Sequence, residues 1–233
     1  MPEETKAADQ WCFAWDAVAP AISGKTKAVA PKASLWHAGD AISISFLDGE
    51  KRLKTRVEQA ARQWVGIAMA NLEFIFQKKT DSLIRISFNS RGSWSAVGTT
   101  CKNVDKSKPT MNLGWLSATT EDEELERVVL HEFGHALGLI HEHQHPKGKI
   151  KWNEAQVASD LAGPPQFWTP QQIQRNMFEA FAAKLTNFSK FDKDSIMLYP
   201  IPAKWTTNGF STPPNRKLSN TDVAFIRALY PWQ

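Results

Sequence analysis

The chain has 233 residues, 42% of them hydrophobic and 22% charged, with a formal net charge of +4, which suits one globular domain with an apolar core of its own. Its lysines and arginines are spread along the sequence without an arginine-rich run, which argues against a nucleic-acid partner. No apolar run approaches the length of a membrane span, and two cysteines, Cys12 and Cys101, are too few to define a compartment.

Residues 1–34 read as a leader, wrapping or pro-like segment. The opening "MPEETKAADQ" is polar and has no apolar h-region, and "AVAPAISGKTKAVAPKAS" is rich in Ala, Lys, Pro and Ser without strong periodicity. Regular structure begins at "AISISFLDG", where alternation from Ile42 to Phe46 predicts a strand and Asp48-Gly49 a turn. "KRLKTRVEQAARQWVGIAMA" follows with Leu53, Val57, Ala60, Ala61, Trp64 and Ile67 at helical spacing. "LEFIFQ" and "LIRISF" read as strands, the first with Leu72, Phe74 and Phe76 alternating, the second with Leu83 and Arg85. The short, polar "SWSAVGTT" predicts a further strand near a sheet edge.

"TTEDEELERVVLHEFGHAL" is the strongest helix, with Thr120 and Glu123 as a capping box and an acidic first turn that suits the helix dipole. "TPQQIQRNMFEAFAAKL" predicts another, with Pro170 placed just after Thr169. "LSNTDVAFIRALYP" predicts a closing helix with Ser219 and Asp222 as a second box. Strands and helices mix without a repeat, so the expected fold class is α+β.

Five of the six histidines fall within residues 131–145. His131 and His135 are four apart on the predicted helix and share a face, within reach of one ion. Glu132 lies beside them, in the arrangement where two imidazoles hold Zn²⁺ and the glutamate is the general base. On a continued helix His141 would sit about 15 Å from His131 along the axis, on another face. The helix must therefore stop between them, and Gly138 is the residue there that takes a left-handed conformation at low cost. By residue frequencies the five-residue core arises in on the order of one chain per hundred by chance, and the full pattern with glycine and third histidine in roughly one per hundred thousand. An accidental cluster is thereby set aside.

The extended motif HEFGHALGLIH resembles that of the metzincin zinc metallopeptidases, and "DSIMLYP" resembles their methionine turn, with Met197 as the apolar floor under the ligands. Glu142 after the third histidine and Tyr199 two residues after Met197 are similar to the astacin-like branch, bacterial and fungal type. The likeness runs from about Trp36 to the C-terminus, through "FLDG", "SWSAVGT", "PTMNLGW" and "HEHQHP". Three departures stand out: Leu198 replaces the usual histidine before the tyrosine, the cysteines are fewer, and the stretch after Glu142 lacks the usual arginine.

The resemblance implies a twisted mixed sheet with two long helices above an active-site cleft, and a largely irregular lower subdomain ending in a helix. Residues 35–233 would be catalytic, divided into an upper part (about 35–138) and a lower part (about 139–233). It implies one catalytic Zn²⁺ on His131, His135 and His141, with Tyr199 as a resting ligand that swings away to hydrogen-bond the oxyanion. Glu132 would take a proton from the water and return it to the leaving amine. Gly138, Glu142 and Met197 are carried over as structural residues, and Ser93, Trp94, Ser95 and Ala96 as an edge on which substrate backbone pairs antiparallel.

The implied partners are protein or peptide substrates, the implied state a monomer, and the implied location extracellular with the leader absent from this sequence; cytoplasmic or non-classical routes stay open. Cys12 and Cys101 read either as a disulfide, the simpler case, or with Cys12 as a thiolate switch on the metal. "HAGD" (residues 37–40) reads as a turn. Two alternatives to an active peptidase are a latent zymogen and a catalytically silent zinc-binding module that captures peptides.

Overall fold

The computed structural model describes residues 13–15, 34–145, 148, 150–164, 166–179 and 190–232. Its sheet is six-stranded: β1 (Phe13–Trp15), β2 (Ala41–Phe46), β3 (Glu73–Phe76), β4 (Ile84–Ser87), β5 (Ser93–Ala96) and β6 (Met111–Leu113), in the order β1-β5-β6-β4-β2-β3. All neighbours are parallel except β5 and β6, which run antiparallel with Trp94 opposite Asn112. The sheet is thus mixed, as expected.

Alternation on β2 buries Ile42 and Ile44 in the core cluster they share with residues of α1 (Lys51–Ala61) and α2 (Asp122–Ala136). The helical stripe of α1 buries Leu53, Val57, Ala60 and Ala61, and Trp64 follows in a 3-10 turn. Ile67 departs from that stripe and is 63% exposed. Once the helix gives way after Ala61, the 3.6-residue phase is lost and spacing no longer predicts facing. The central strand β4 has a neighbour on each edge and no exposed face: all four of its residues are buried. Arg85, just outside the apolar stripe, is buried with its guanidinium donating to the carbonyls of Ser82, Val104, Asp105 and Lys108.

Two further expectations need correction. β5 is not the sheet's outer strand, because β1 pairs with it in parallel register, Ala14 opposite Ser95. The leader therefore contributes a strand that its weak pattern did not announce. The Thr120–Glu123 capping box does not form either: α2 starts after Glu121 with no side-chain cap, and the Thr120 hydroxyl instead accepts from the Ser117 N–H. The acidic first turn Asp122, Glu123 and Glu124 remains to oppose the helix dipole.

After α2 the chain is mostly irregular. It contains α3 (Glu154–Ala162) and α4 (Pro170–Ile173), the latter running into a π-helix at Gln174–Phe178, and closes with α5 (Asn220–Leu229). Thr169 caps α4 and Ser219 with Asp222 caps α5, both as reciprocal boxes; the predicted continuation over 180–185 lies outside the described residues. A second apolar cluster forms here from residues including Val157, Trp168, Met177, Tyr199 and Trp205. No helix among the described residues is long and apolar enough to cross a membrane.

Candidate metal centre and active site

The end of α2 builds the site. Gly138 adopts φ +89°, its N–H donates to the His135 carbonyl, and the Leu139 N–H reaches back to the Gly134 carbonyl. This pair is a Schellman cap, which reverses the chain after the helix and satisfies carbonyls left open at its end. The remaining open carbonyls are capped by distant side chains: Trp36 Nε1 donates to Ala136 and the Tyr230 hydroxyl to Leu137. A helix so closed delivers His141 back beneath His131 and His135.

Ligand atoms of His131, His135 and His141 lie within 4.8 Å of one another, and all three residues are buried. The His135 and His141 Nε2 atoms are 3.1 Å apart, close to the roughly 3.3 Å that two nitrogens on one tetrahedral zinc require at Zn–N of about 2.0–2.1 Å. Neighbouring carbonyls fix two of the tautomers. His131 Nδ1 donates to the Ile196 carbonyl at 2.8 Å and His135 Nδ1 to the Leu139 carbonyl at 2.9 Å. Each Nε2 lone pair then faces the centre, and His131 Nε2 has no hydrogen-bond partner in its buried position. Burial is the first cause that holds all three imidazoles in the neutral form that binds metal. It lowers His135 to about 4 and His131 and His141 well below their ordinary range, with neighbouring imidazoles adding to the shift in the latter two. The residues present fit zinc.

Glu132 is fully buried one residue past the first ligand. Tyr199 lies among the histidine rings, with centroids 4.3 Å from His141, 4.7 Å from His143 and 5.9 Å from His131. His143 therefore packs around the site, its Nε2 against the Asn176 carbonyl, while His145 meets Phe191 edge-on. Met197 lies under α2, and its carbonyl accepts from the Glu142 N–H. Burial, ahead of nearby Asp222 and Asp192, pushes the Glu142 carboxyl up to about 8, although the Asp192 N–H it accepts works the other way.

Some features were missed at the level of sequence. A Cβ on Gly134 would stand 2.3 Å from Met197 Sδ, so this glycine admits the methionine; a glycine inside a strong helix is the signal that should have pointed to it. The capping roles of Trp36 and Tyr230 carry no local signal. Cys101 is a buried free thiol, which replaces the expected bridge; Cys12 lies outside the described residues. "HAGD" is the predicted turn, with His37 exposed and the Asp40 carboxylate accepting the His37 N–H. Ser93, Ser95 and Ala96 are buried in β5 and Trp94 is half-buried.

Three neutral imidazoles on a helix-stop-return motif, set over a methionine turn, define a zinc metallopeptidase of the metzincin class. The sequence profile of the Astacin peptidase family matches residues 28–230, and the chain belongs to that family. It is accordingly a zinc-dependent peptidase acting on proteins or peptides. One solved structure of myroilysin is 38% identical, with 87% of this chain and 98% of that chain covered and a TM-score of 0.83. A second structure of myroilysin, also 38% identical, covers 88% and 89% with a TM-score of 0.67. High choriolytic enzyme 1, a hatching enzyme zinc-protease from the medaka fish Oryzias latipes, shares the fold at 19% identity, with coverage of 89% and 99% and a TM-score of 0.58. A search of curated protein sequences finds no match.

Proposed function

We propose that the chain is an endopeptidase whose general base is Glu132 and whose metal ligands are His131, His135 and His141, with Tyr199 as a further, movable ligand. The observation that carries this reading is the convergence of three buried imidazoles beside a buried glutamate. Zinc, when bound, acidifies a water and polarises the substrate carbonyl. Glu132 would serve as the base toward the attacking water and would return the proton to the leaving amine. The Tyr199 phenol donates to the oxygen on which charge develops, a contact made in the transition state and not before it. The Ile196 and Leu139 carbonyls hold the His131 and His135 rings in their ligating tautomers. Met197 closes the floor, and Gly138 and Glu142 shape the return of the chain.

The cleft would divide the chain near Gly138, with residues 35–138 above and 139–233 below; the buried members of the second apolar cluster all follow Gly138, while Leu139, Ile196, Met197, Ile226 and Tyr230 pack into the first. The substrate would be an extended polypeptide lying along β5, residues Ser93–Ala96, on the side that β1 takes up here. The enzyme would work as a secreted monomer. Glu132→Gln tests the central assignment: zinc content should stay at one per chain while peptide hydrolysis falls about 10²–10⁴-fold. Hydrolysis at the wild-type rate in that variant would remove Glu132 from the mechanism.

A second reading, that this chain is the latent form, is favoured by β1. Substrate backbone is expected to pair antiparallel with β5, yet the outer side of β5 already carries residues 13–15 running parallel. A parallel occupant covers the edge without offering a peptide in the productive direction. Cleavage at a protease site introduced near residue 34 should raise peptidase activity; an unchanged rate after complete removal of residues 1–34 excludes latency.

A further inference from the structure

Asp222 looks in the sequence like an ordinary capping residue. With Ser219 it forms a reciprocal box at the start of α5, its Oδ2 accepting the Ser219 N–H at 2.9 Å. A residue that only caps a surface helix has no need of burial, yet Asp222 is buried and accepts two further hydrogen bonds. Oδ1 accepts the Ser195 hydroxyl at 2.6 Å, and Oδ2 accepts the Ile196 N–H at 2.8 Å. Ile196 is the residue whose carbonyl, also at 2.8 Å, receives the Nδ1–H of His131. One residue thus gives its N–H to Asp222 and its C=O to a metal ligand.

We propose that Asp222 is a positioning residue for zinc: it fixes the Ile196 backbone, and through it the orientation and tautomer of His131. The inference rests on the zinc reading of the three histidines. Its physical basis is that an imidazole ligand needs its other nitrogen held, and that loss of such outer partners typically lowers metal affinity about 10–100-fold. The neighbouring bonds point the same way. The Met197 N–H donates to Ser195 Oγ, and Asn215 Nδ2 donates to the Ser195 and Lys193 carbonyls. The turn under the ligands is therefore held mostly by side chains, with Asp222 at the point nearest a ligand's hydrogen bond.

Two substitutions separate this role from capping. Asp222→Glu keeps the capping box, for which glutamate is the usual partner of serine, but its extra methylene moves the carboxylate off Ser195 and Ile196. Asp222→Asn can set its amide oxygen at the Oδ2 position and still accept both N–H groups, while the Ser195 hydroxyl turns to accept from the amide. Zinc affinity, measured by chelator competition on the full chain, is expected to fall about 10–100-fold in Asp222→Glu and in Asp222→Ala. Asp222→Asn should stay within about threefold of wild type, since the hydrogen bond to the ligand's partner is preserved. The ¹⁵N-histidine spectrum should show the His131 Nδ1–H signal displaced in Glu and Ala and retained in Asn.

Thr169→Ala, which breaks the equivalent box on α4, supplies the stability control: it should lower the melting temperature and leave zinc affinity and the His131 signal in place. Wild-type zinc affinity in a folded Asp222→Glu or Asp222→Ala overturns the proposal. So does an equal loss in Asp222→Asn, or a loss in Thr169→Ala as large as that in Asp222→Glu. A wild-type protein that binds no zinc would instead remove the metal reading on which it stands.

Discussion

The segment from β2 through α2 and the segment after Gly138 are stabilised in different ways, although both supply histidines to the cluster that could hold a metal. In the first, apolar residues recur with the period of the element that carries them, and Ile42, Ile44, Val57, Ile86, Val129 and Phe133 interlock in one core. In the second, short turns are fixed by individual polar bonds, such as the Thr212 hydroxyl to the Tyr199 carbonyl, Trp205 Nε1 to Asp160, and the Asp222 carboxylate to Ser195 and Ile196. The regular region thus carries most of the larger apolar core, whereas the irregular one fixes the Ile196, Met197 and Tyr199 backbone through individual bonds.

The contrast is broken most sharply in the centre of the sheet. Ile86 is fully buried on β4 in register with Met111, and Ile86→Ala should cost about 2–5 kcal/mol, the usual toll for a cavity in a packed core. Urea denaturation would show it, while zinc affinity of the folded protein stays within about twofold because no bond to a ligand is touched. Gly138 joins the two regions. Alanine there must hold φ near +89°, and the left-handed conformation costs an L-residue roughly 1–2 kcal/mol. Its Cβ would also stand 2.7 Å from Leu35 Cδ2, a side-chain end that can yield. Gly138→Ala should therefore lower stability by about 2 kcal/mol at most and zinc affinity as well, because the turn also aims His141. Loss of stability with full zinc affinity would show that His141 reaches the metal without the Schellman turn.

Legibility in the sequence followed the same division. The strands, α1 and α2 were readable because burial of one face imposes a period on a contiguous segment. The histidine cluster was readable because coordination geometry restricts the spacing of His131, His135 and His141, with Gly138 demanded by the reversal between them. Asp222 was read as a cap and nothing more, since its second set of partners lies 26 and 27 residues away. The strand at Phe13–Trp15 was missed because a strand of three residues leaves little mark on a sequence, and the Trp36 and Tyr230 caps were missed because their acceptors are 100 and 93 residues distant. The Thr120 box failed for a local reason: Ser117 offered its N–H to the same hydroxyl, and the helix began one residue later.

Thr212 belongs to the irregular region and bonds directly to the Tyr199 backbone. Its hydroxyl donates to the Tyr199 carbonyl at 2.9 Å and accepts the Ile201 N–H at 3.0 Å. Thr212→Val keeps the shape and removes both bonds, at a cost of about 1–2 kcal/mol for the buried carbonyl left unpaired. Because that carbonyl belongs to Tyr199, the turnover number should fall by more than the stability loss alone would suggest, with KM little altered. Parallel losses in a matched substitution far from Tyr199 would reduce Thr212 to a packing residue.

The smallest effect belongs to Cys101, which is built into the regular region without any part in the chemistry. Burial raises its thiol from about 9 to about 11, against the opposing pull of Lys102 and Arg85. At pH 8 roughly one thiol in a thousand is ionised, so in a Cys12→Ser background Ellman's reagent should leave Cys101 untouched until the protein is unfolded. The same shift sets a pH dependence. Between about pH 9 and 11 the unfolded chain gives up this proton before the folded one does, so the folded state binds more protons and stability declines as pH rises. By pH 9.5 the thiol accounts for a loss of no more than about 1 kcal/mol relative to neutral pH. Other groups titrate in the same range, so the quantity to follow is the difference between the Cys12→Ser protein and its Cys101→Ala derivative in urea denaturation from pH 7.5 to 9.5. That difference should shift steadily against the cysteine-bearing protein; a constant gap would mean that the thiol ionises in the folded protein as readily as in the unfolded chain.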